Sequence, residues 1–169
     1  SVFCLGACRQ LLGKASNAIS LLSVAIELSE RAGLSADRLR AGAFEWRARC
    51  YVVQGEWEGA QSDAERALEL AESAGDRRLV TAATTQCSVI AERRGDPRLA
   101  LFYAERAQAL AVEVGDSRAE ARLLNNIGGL KLLLGDPGAA VDYLTRSFAL
   151  SLEIGNDADA AQTVSSLAQ

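Results

Sequence analysis

Small and apolar residues recur along this chain at matched positions, in four copies about 40 residues apart. Counted from the glycine in the middle of each copy, the fifth residue is always alanine, at Ala18, Ala60, Ala100 and Ala140. Seven residues further on, the copies have Ala25, Ala67, Ala107 and Ser147. Apolar positions at helical spacing predict amphipathic helices. Their return at a fixed period in this range predicts a helical repeat fold.

Glycine and aspartate residues predict where these helices end and begin. The triplet Gly-Asp-Pro occurs at Gly95–Pro97 and again at Gly135–Pro137. Glycine closes a helix because it enters the left-handed conformation without a steric penalty. Aspartate then accepts the free N–H groups of the next helix, and proline fits the first turn of that helix. Links of two or three residues predict that neighbouring helices run antiparallel.

These helix-ending and helix-starting residues predict nine helices, arranged as four hairpins and one unpaired final helix. Gly13 is expected to end the first helix and Gly33 the second. We call the first helix of each hairpin an A helix and the second a B helix. The predicted bounds are residues 1–12, 16–32, 35–54, 57–74, 77–94, 97–114, 117–134, 137–154 and 157–169. The corresponding repeats are residues 1–34, 35–75, 76–115, 116–155 and a partial repeat over 156–169.

A second column of small residues runs through the A helices, at Gly6, Ala48, Ser88, Gly128 and Ala168. Small side chains at matched positions allow helices to approach closely, which fixes the packing of A on B. Each repeat then buries a face on its neighbour. The predicted fold is all-α, a single α-solenoid of antiparallel hairpins over residues 1–169, with about four repeats and a truncated helix.

Composition narrows the function classes. The chain has 169 residues, 49% of them hydrophobic, and a net charge of −4. This acidity argues against direct nucleic-acid contact, which needs clustered Lys and Arg. No apolar run is long enough to predict a membrane span, and no signal peptide is recognisable. There is no Met, and both ends fall inside helical patterns, so we expect a segment of a longer protein.

The chemistry-bearing residue types predict neither an enzyme nor a cofactor or metal site. Cys4, Cys8, Cys50 and Cys87 lie in apolar helical contexts, which is typical of reduced core thiols in a cytoplasmic protein. Cys4 and Cys8 are one helical turn apart, but without histidine or a second cysteine pair nearby they do not predict a zinc site. The absence of histidine also excludes a Ser-His-Asp or Cys-His arrangement.

The pattern Leu-Gly-x6-Gly-x4-Ala-x6-Ala resembles the tetratricopeptide repeat. It occurs at Leu5, Gly6, Gly13, Ala18 and Ala25, and returns with substitutions at Ile127, Gly128, Gly135, Ala140 and Ser147. The family period is about 34 residues, so a period of 40 indicates longer helices. That variant is similar to arrays in Pins-type polarity adaptors, kinesin light chains and bacterial regulators. In those regulators a tetratricopeptide sensor region lies beside an ATPase or helix-turn-helix domain.

The resemblance implies a right-handed superhelix in which A helices line a concave groove that binds peptides or partner helices without catalysis. Residues one repeat apart then lie side by side. Three such columns are Cys4, Trp46, Gln86, Asn126, Ser166; Phe3, Glu45, Thr85, Asn125, Ser165; and Ala7, Arg49, Val89, Gly129, Gln169. The first two columns are more polar than a packed face, which predicts that they face the groove.

The predicted groove residues are Trp46, Arg49, Gln86, Arg122, Asn125 and Asn126. In relatives, an Asn at the position of Asn126 bonds the backbone of an extended ligand, since an amide is both donor and acceptor. Each residue has a structural alternative. Asn126 could bond neighbouring helices, the arginines could be surface residues or clamp a ligand carboxylate, and Trp46 could be core or a binding hot spot.

The leading functional hypothesis is a protein–protein interaction module that binds a peptide or partner helix in its groove. The alternative is a sensor or effector-binding domain of a bacterial transcriptional or signalling regulator. A third hypothesis is self-association through exposed faces of the terminal repeats. The Lys and Asn pairs of chaperone-binding arrays are absent, so binding to chaperone C-terminal tails is not predicted.

Overall fold

The computed structural model describes residues 2–31 and 37–167, with side chains described from residue 13 to residue 166 of those ranges. The described residues form eight α-helices and no strand, which confirms the all-α class. Gly33, Ala168 and Gln169 lie outside the described residues, and the side chains of Cys4 and Cys8 are outside them too. The helices are α1 (Val2–Arg31), α2 (Asp37–Gln54), α3 (Trp57–Ser73), α4 (Arg77–Arg93), α5 (Pro97–Glu113), α6 (Ser117–Leu133), α7 (Pro137–Glu153) and α8 (Asp157–Leu167).

The predicted helix end at Gly13 is wrong. The helix α1 runs from Val2 to Arg31 without a break, so the first two predicted helices are one. Glycine permits a left-handed end but does not enforce it. Five of the six glycines that end helices in the described ranges are followed by an Asp or Asn that caps the next helix, whereas Gly13 is followed by Lys14, whose side chain has no acceptor. Gly55 is the exception, because Glu56 makes no capping side-chain hydrogen bond and α2 still ends there.

The glycine links from Gly55 to Gly155 form as predicted, whereas the predicted end at Gly33 lies outside the described residues. Six link glycines have φ between +65° and +84°. At Gly95, the glycine N–H donates to the Glu92 carbonyl at 3.0 Å, and the next N–H donates to the Ala91 carbonyl at 3.0 Å. The Asp96 carboxylate then accepts from the Leu99 N–H at 3.0 Å. One link therefore satisfies the end of α4 and the start of α5.

The chain divides within α4 into two compact units, Ser1–Ile90 and Ala91–Gln169. In the first unit, Arg47 of α2 joins three helices. Its guanidinium donates to both carboxylate oxygens of Asp63 on α3, at 2.6 and 2.8 Å. It also donates to the Ser23 hydroxyl of α1 at 2.8 Å. Asp63 is buried, so the hydrogen-bonded ion pair lies within the packed interior of this unit.

The second unit is packed through apolar and small residues. Ile127 and Leu130 of α6 lie in one cluster with alanines of α5. Gly128 faces α7 so closely that a Cβ there would lie 2.6 Å from Leu144 Cγ. The Ser147 hydroxyl donates to the Ala121 carbonyl of α6 at 2.7 Å. The small-residue columns therefore set the approach of α6 and α7, as the sequence predicts.

Among the helices of the described ranges, none combines the length and the apolarity that crossing a bilayer would require.

Candidate functional site

The six predicted groove residues all lie on A helices. Trp46 and Arg49 are on α2, Gln86 is on α4, and the remaining three (Arg122, Asn125 and Asn126) are on α6. The structure brings them together in two separate places, a cavity in the second unit and an exposed pair in the first. Two of the six residues belong to neither place.

The cavity in the second unit has a volume of about 460 Å³. Asn125 and Asn126 lie side by side in its lining, and Gly129 follows one turn later on α6. The lining is completed by one acidic residue, three leucines and a serine: Glu92, Leu130, Leu132, Leu133 and Ser166. The cavity therefore places an amide pair next to an apolar patch.

One hydrogen-bond acceptor in the lining of this cavity, on Asn125, has no donor. Its Oδ1 atom is buried, and no described residue donates a hydrogen bond to it. Leaving a buried carbonyl without a donor costs about 1–3 kcal/mol. Because this oxygen is almost fully enclosed, the amide must turn toward the cavity before an N–H of a bound group can reach it and remove that cost; a second acceptor would not remove it. The site is therefore suited to a ligand that donates hydrogen bonds.

Four lining residues were not predicted from sequence: Glu92, Leu130, Leu132 and Leu133. Each lies one helical turn beyond a residue of a predicted column, namely Val89, Asn126 or Gly129. Extending each column by a turn toward the helix C-terminus would have found them, because residues three and four apart share a helix face. Ser166 was in the first column and does line the cavity.

The exposed pair in the first unit is formed by Trp46 and Arg49. Trp46 is 58% exposed, so it is not a core residue. The guanidinium carbon of Arg49 lies 5.1 Å from the centroid of the Trp46 ring, within the range of a cation–π contact. Arg49 Nε also lies 3.0 Å from Glu45 Oε1. The aromatic ring is therefore held on the surface beside a paired arginine.

Glu45 fixes the position of this arginine. Its carboxyl group is buried, and desolvation raises its pKa above the ordinary value, while the positive charge of Arg49 lowers the pKa in part. Burial disfavours the charged form of a carboxyl group, and a neighbouring cation favours it. Glu45 and Arg49 thus form an ion pair with one buried end and one half-exposed end.

Gln86 and Arg122 are not among the residues that line the cavity. Gln86 is 7% exposed on α4, although it belongs to the same column as the exposed Trp46. Arg122 is exposed on α6, one turn before Asn126, and does not line the cavity. The roles of all six residues toward a ligand remain predictions.

No protein-family model matches the sequence, and no curated protein matches it. Solved structures do match. Similar structures include BtubC of P. vanneervenii, with a TM-score of 0.70, 18% identity and coverage of 93% of this chain and 63% of that chain. Another is the TPR domain of Arabidopsis FLU, with a TM-score of 0.65, 21% identity and coverage of 70% of this chain and 98% of that domain.

A third similar structure contains nearly identical TPR-like repeats assigned to a kinesin light chain of Podosopora anserina. Its TM-score is 0.73 at 14% identity, and the match covers 95% of this chain and 83% of that chain. The present chain spans less than two thirds of BtubC, at 63% of its length. At such identities the likenesses show the fold alone, and they confirm the predicted helical repeat.

Proposed function

Because the chain has a tetratricopeptide-type repeat fold, we propose that it is a protein-interaction module that binds an extended peptide segment. The proposed site is the cavity beside Asn125 and Asn126 in the second unit. The observation that carries the proposal is the buried Asn125 Oδ1 atom, to which no described residue donates. A peptide backbone N–H is a donor of the required kind.

The lining matches a peptide in three respects. The two adjacent amides offer donors and acceptors, which suits a backbone that alternates between N–H and C=O. Nothing lies within 4 Å of the Cβ position of Gly129, so a ligand backbone has room to approach α6. The leucines beside them give an apolar side chain a place to pack. A volume of about 460 Å³ falls in the range of small-ligand pockets and fits a few residues.

The charge around the cavity restricts which peptide can bind there. Glu92 is the charged residue of the described lining, and the whole chain has a net charge of −4. An acidic segment would be repelled, whereas a neutral or basic one would not. We therefore propose a peptide with an apolar side chain and without clustered Asp or Glu. Trp46 and Arg49 form a separate proposed contact surface, since both residue types are enriched at binding hot spots.

The test starts from a random peptide library that is panned against the folded chain. Enriched peptides are then titrated against Asn125→Ala and Gly129→Leu. Removing the acceptor is expected to weaken binding about fivefold, which corresponds to about 1 kcal/mol for one hydrogen bond. The leucine at position 129 fills the open space by the amides and is expected to weaken binding at least about tenfold, since it excludes the peptide backbone.

Gly42→Leu is the matched control. Gly42 also lies inside a helix with nothing within 4 Å of its Cβ position, but it is on α2 in the first unit. This variant should bind enriched peptides as the unaltered chain does. The proposal fails if folded protein enriches no peptide, or if the enriched peptides bind the Gly129→Leu variant with unchanged affinity. Titrating Trp46→Ala in parallel tests the surface of the first unit separately.

A further inference from the structure

The cavity of the second unit lies at a repeat position where the first unit has an arginine. Arg49 of α2 is followed 80 residues later by Gly129 of α6. In the first unit, Arg49 Nε lies 3.0 Å from Oε1 of Glu45, one turn earlier on the helix. In the second unit, nothing lies within 4 Å of the Cβ position of Gly129. The arginine side chain of the first unit therefore has no counterpart in the second.

The partner of this arginine is an acceptor in both units. Glu45 is buried and accepts from Arg49 through a carboxylate oxygen. Asn125 occupies the same repeat position, and its buried Oδ1 atom has no described donor. An amide oxygen accepts from a guanidinium, as a carboxylate oxygen does. Once its amide turns toward the cavity, Asn125 is thus an acceptor for a cation that its own unit does not supply.

The carboxylate of the cavity lining also lacks a cation. Glu92 is an exposed residue of α4, and no described cationic side chain forms an ion pair with it. Other exposed carboxylates of the chain are paired with an arginine or a lysine, among them Glu27, Glu69 and Glu105. A positively charged group in the cavity would give Glu92 the kind of partner that these residues have.

The rest of the lining suits the other parts of an arginine side chain. The Ser166 hydroxyl donates to the Gln162 carbonyl at 3.3 Å, so its oxygen remains an acceptor for a ligand. Leu130, Leu132 and Leu133 provide an apolar wall. An arginine packs its methylene stem on such surfaces while its charged end reaches polar groups. The lining therefore combines acceptors with an apolar surface.

We propose that the cavity binds an arginine side chain of the peptide partner. This inference rests on the proposed function, because it assigns one residue of the peptide that the cavity binds. The guanidinium pairs with Glu92 and donates to the turned amide of Asn125. Arginine suits the cavity better than lysine, because its planar fork has five donors that can reach several acceptors at once, whereas an ammonium has three.

Peptides that are enriched by panning against the folded 169-residue chain provide the test. We expect them to share an arginine next to an apolar residue. Each peptide is then synthesised with citrulline, which has the shape of arginine without its charge, and with lysine, which has the charge without the fork. In calorimetric titration, citrulline should weaken binding at least about tenfold, because hydrogen bonds to charged groups are the stronger ones. Lysine should weaken binding about threefold, because it keeps the charge.

The variant Glu92→Gln identifies the partner of the arginine. It should weaken the arginine peptide about fivefold, the upper end for an exposed ion pair, and leave the affinity of the citrulline peptide unchanged. Glu153→Gln is the matched control, because Glu153 is also exposed in the second unit but does not line the cavity. Both peptides should bind this control as they bind the unaltered chain.

Three results would overturn the inference and leave the peptide site in place. They are enriched peptides without arginine, citrulline or lysine peptides that bind as tightly as the arginine peptide, and an equal loss for the arginine and citrulline peptides in Glu92→Gln. The last result would mean that Glu92 does not act through the charge of the arginine. If the folded chain enriches no peptide at all, the proposed function fails and this inference fails with it.

Discussion

Equivalent positions of the repeat have residues of different character in the two units. Glu45 and Arg49 of the first unit correspond to Asn125 and Gly129 of the second, 80 residues later. In the first unit the carboxylate is paired with the arginine at 3.0 Å. In the second unit the amide oxygen has no described donor, and the glycine leaves open space. The second unit therefore has a cavity at the repeat position that is filled by the Arg49 side chain in the first unit.

The same contrast continues inside the units. Arg47 and Asp63 correspond to Ile127 and Tyr143. The first pair is a hydrogen-bonded ion pair with distances of 2.6 and 2.8 Å. The second is an apolar contact, in which Tyr143 packs on the cluster that contains Ile127. The helix hairpin thus accepts either kind of contact, which indicates that the links and small-residue columns set its geometry.

The largest expected effect is the loss of Arg47. In Arg47→Ala, the buried Asp63 carboxylate loses both of its hydrogen bonds to the guanidinium, and the Ser23 hydroxyl loses its donor. Breaking a buried ion pair from one side costs about 3–5 kcal/mol, since an uncompensated charge remains. Urea unfolding of the variant should show this loss in the free energy of unfolding. Arg66→Ala is the control, because Arg66 pairs with Glu69 on an exposed helix face and should cost less than about 1 kcal/mol.

The double variant Arg47→Ile with Asp63→Tyr sharpens the comparison, because it gives the first unit the pair of the second. Replacing a buried ion pair by apolar residues is often neutral or stabilising. We expect a free energy of unfolding within about 1 kcal/mol of the unaltered chain, within the usual cost of volume-conserving core changes. If the double variant were as unstable as Arg47→Ala, the two units would not be interchangeable at this position.

A smaller effect is expected at the close contact between α6 and α7. Ala48 and Ala64 of the first unit correspond to Gly128 and Leu144 of the second, so the larger residue of α7 is matched by a smaller one on α6. In Gly128→Ala the new Cβ would lie 2.6 Å from Leu144 Cγ. Overpacking of this kind costs about 1–3 kcal/mol. Thermal or urea unfolding measures it.

Adding Leu144→Ala to Gly128→Ala gives the second unit the alanine pair of the first. The clash disappears, so the double variant should be more stable than Leu144→Ala alone, which leaves a cavity. Gly129→Ala is the control on the same helix, because its Cβ would meet nothing within 4 Å. Strictly additive losses in the double variant would contradict the proposed complementarity of the two positions.

Most of the fold follows from local sequence signals. The links at Gly55, Gly75, Gly95, Gly115 and Gly135 place the bounds of α3 to α7 within about one residue of the structure. A glycine and a capping residue act within one helical turn, so the helix ends that they produce can be predicted from the local sequence. Gly13 has the glycine without a capping side chain, and there the prediction fails. At Gly55 the helix nevertheless ends, although the Glu56 side chain makes no capping hydrogen bond, so the missing cap alone does not explain why α1 continues.

The candidate site was harder to predict, because it depends on how each helix is rotated against its neighbours. The columns assume that equivalent residues have equivalent surroundings. Trp46 is 58% exposed and Gln86 is 7% exposed, although they share a column. Asn125 and Asn126 line the same cavity because they are adjacent on one helix, and their role toward a ligand stays a prediction. The Arg47–Asp63 pair joins two helices 16 residues apart, and no local pattern identifies it.

The smallest expected effect is a pH dependence at Glu45, the first-unit counterpart of Asn125. Burial raises the pKa of Glu45 above its ordinary value of 4.5, and Arg49 offsets part of that rise. A raised folded-state pKa means that the folded protein holds the proton more tightly. Its stabilising contribution is therefore complete below about pH 4.5 and is lost as the pH rises through the folded-state pKa.

Glu45→Gln replaces this carboxyl with an amide, as in the second unit, and removes that dependence. The unaltered chain should lose stability relative to the variant as the pH rises from 4.5, by less than about 1.4 kcal/mol, the equivalent of one pKa unit. Urea unfolding at several pH values measures the difference, with the exposed Glu58→Gln as control. A difference between Glu45→Gln and the unaltered chain that stays constant with pH would show that Arg49 fully offsets the burial of Glu45. In that case the ion pair of the first unit would be no more sensitive to pH than the amide of the second.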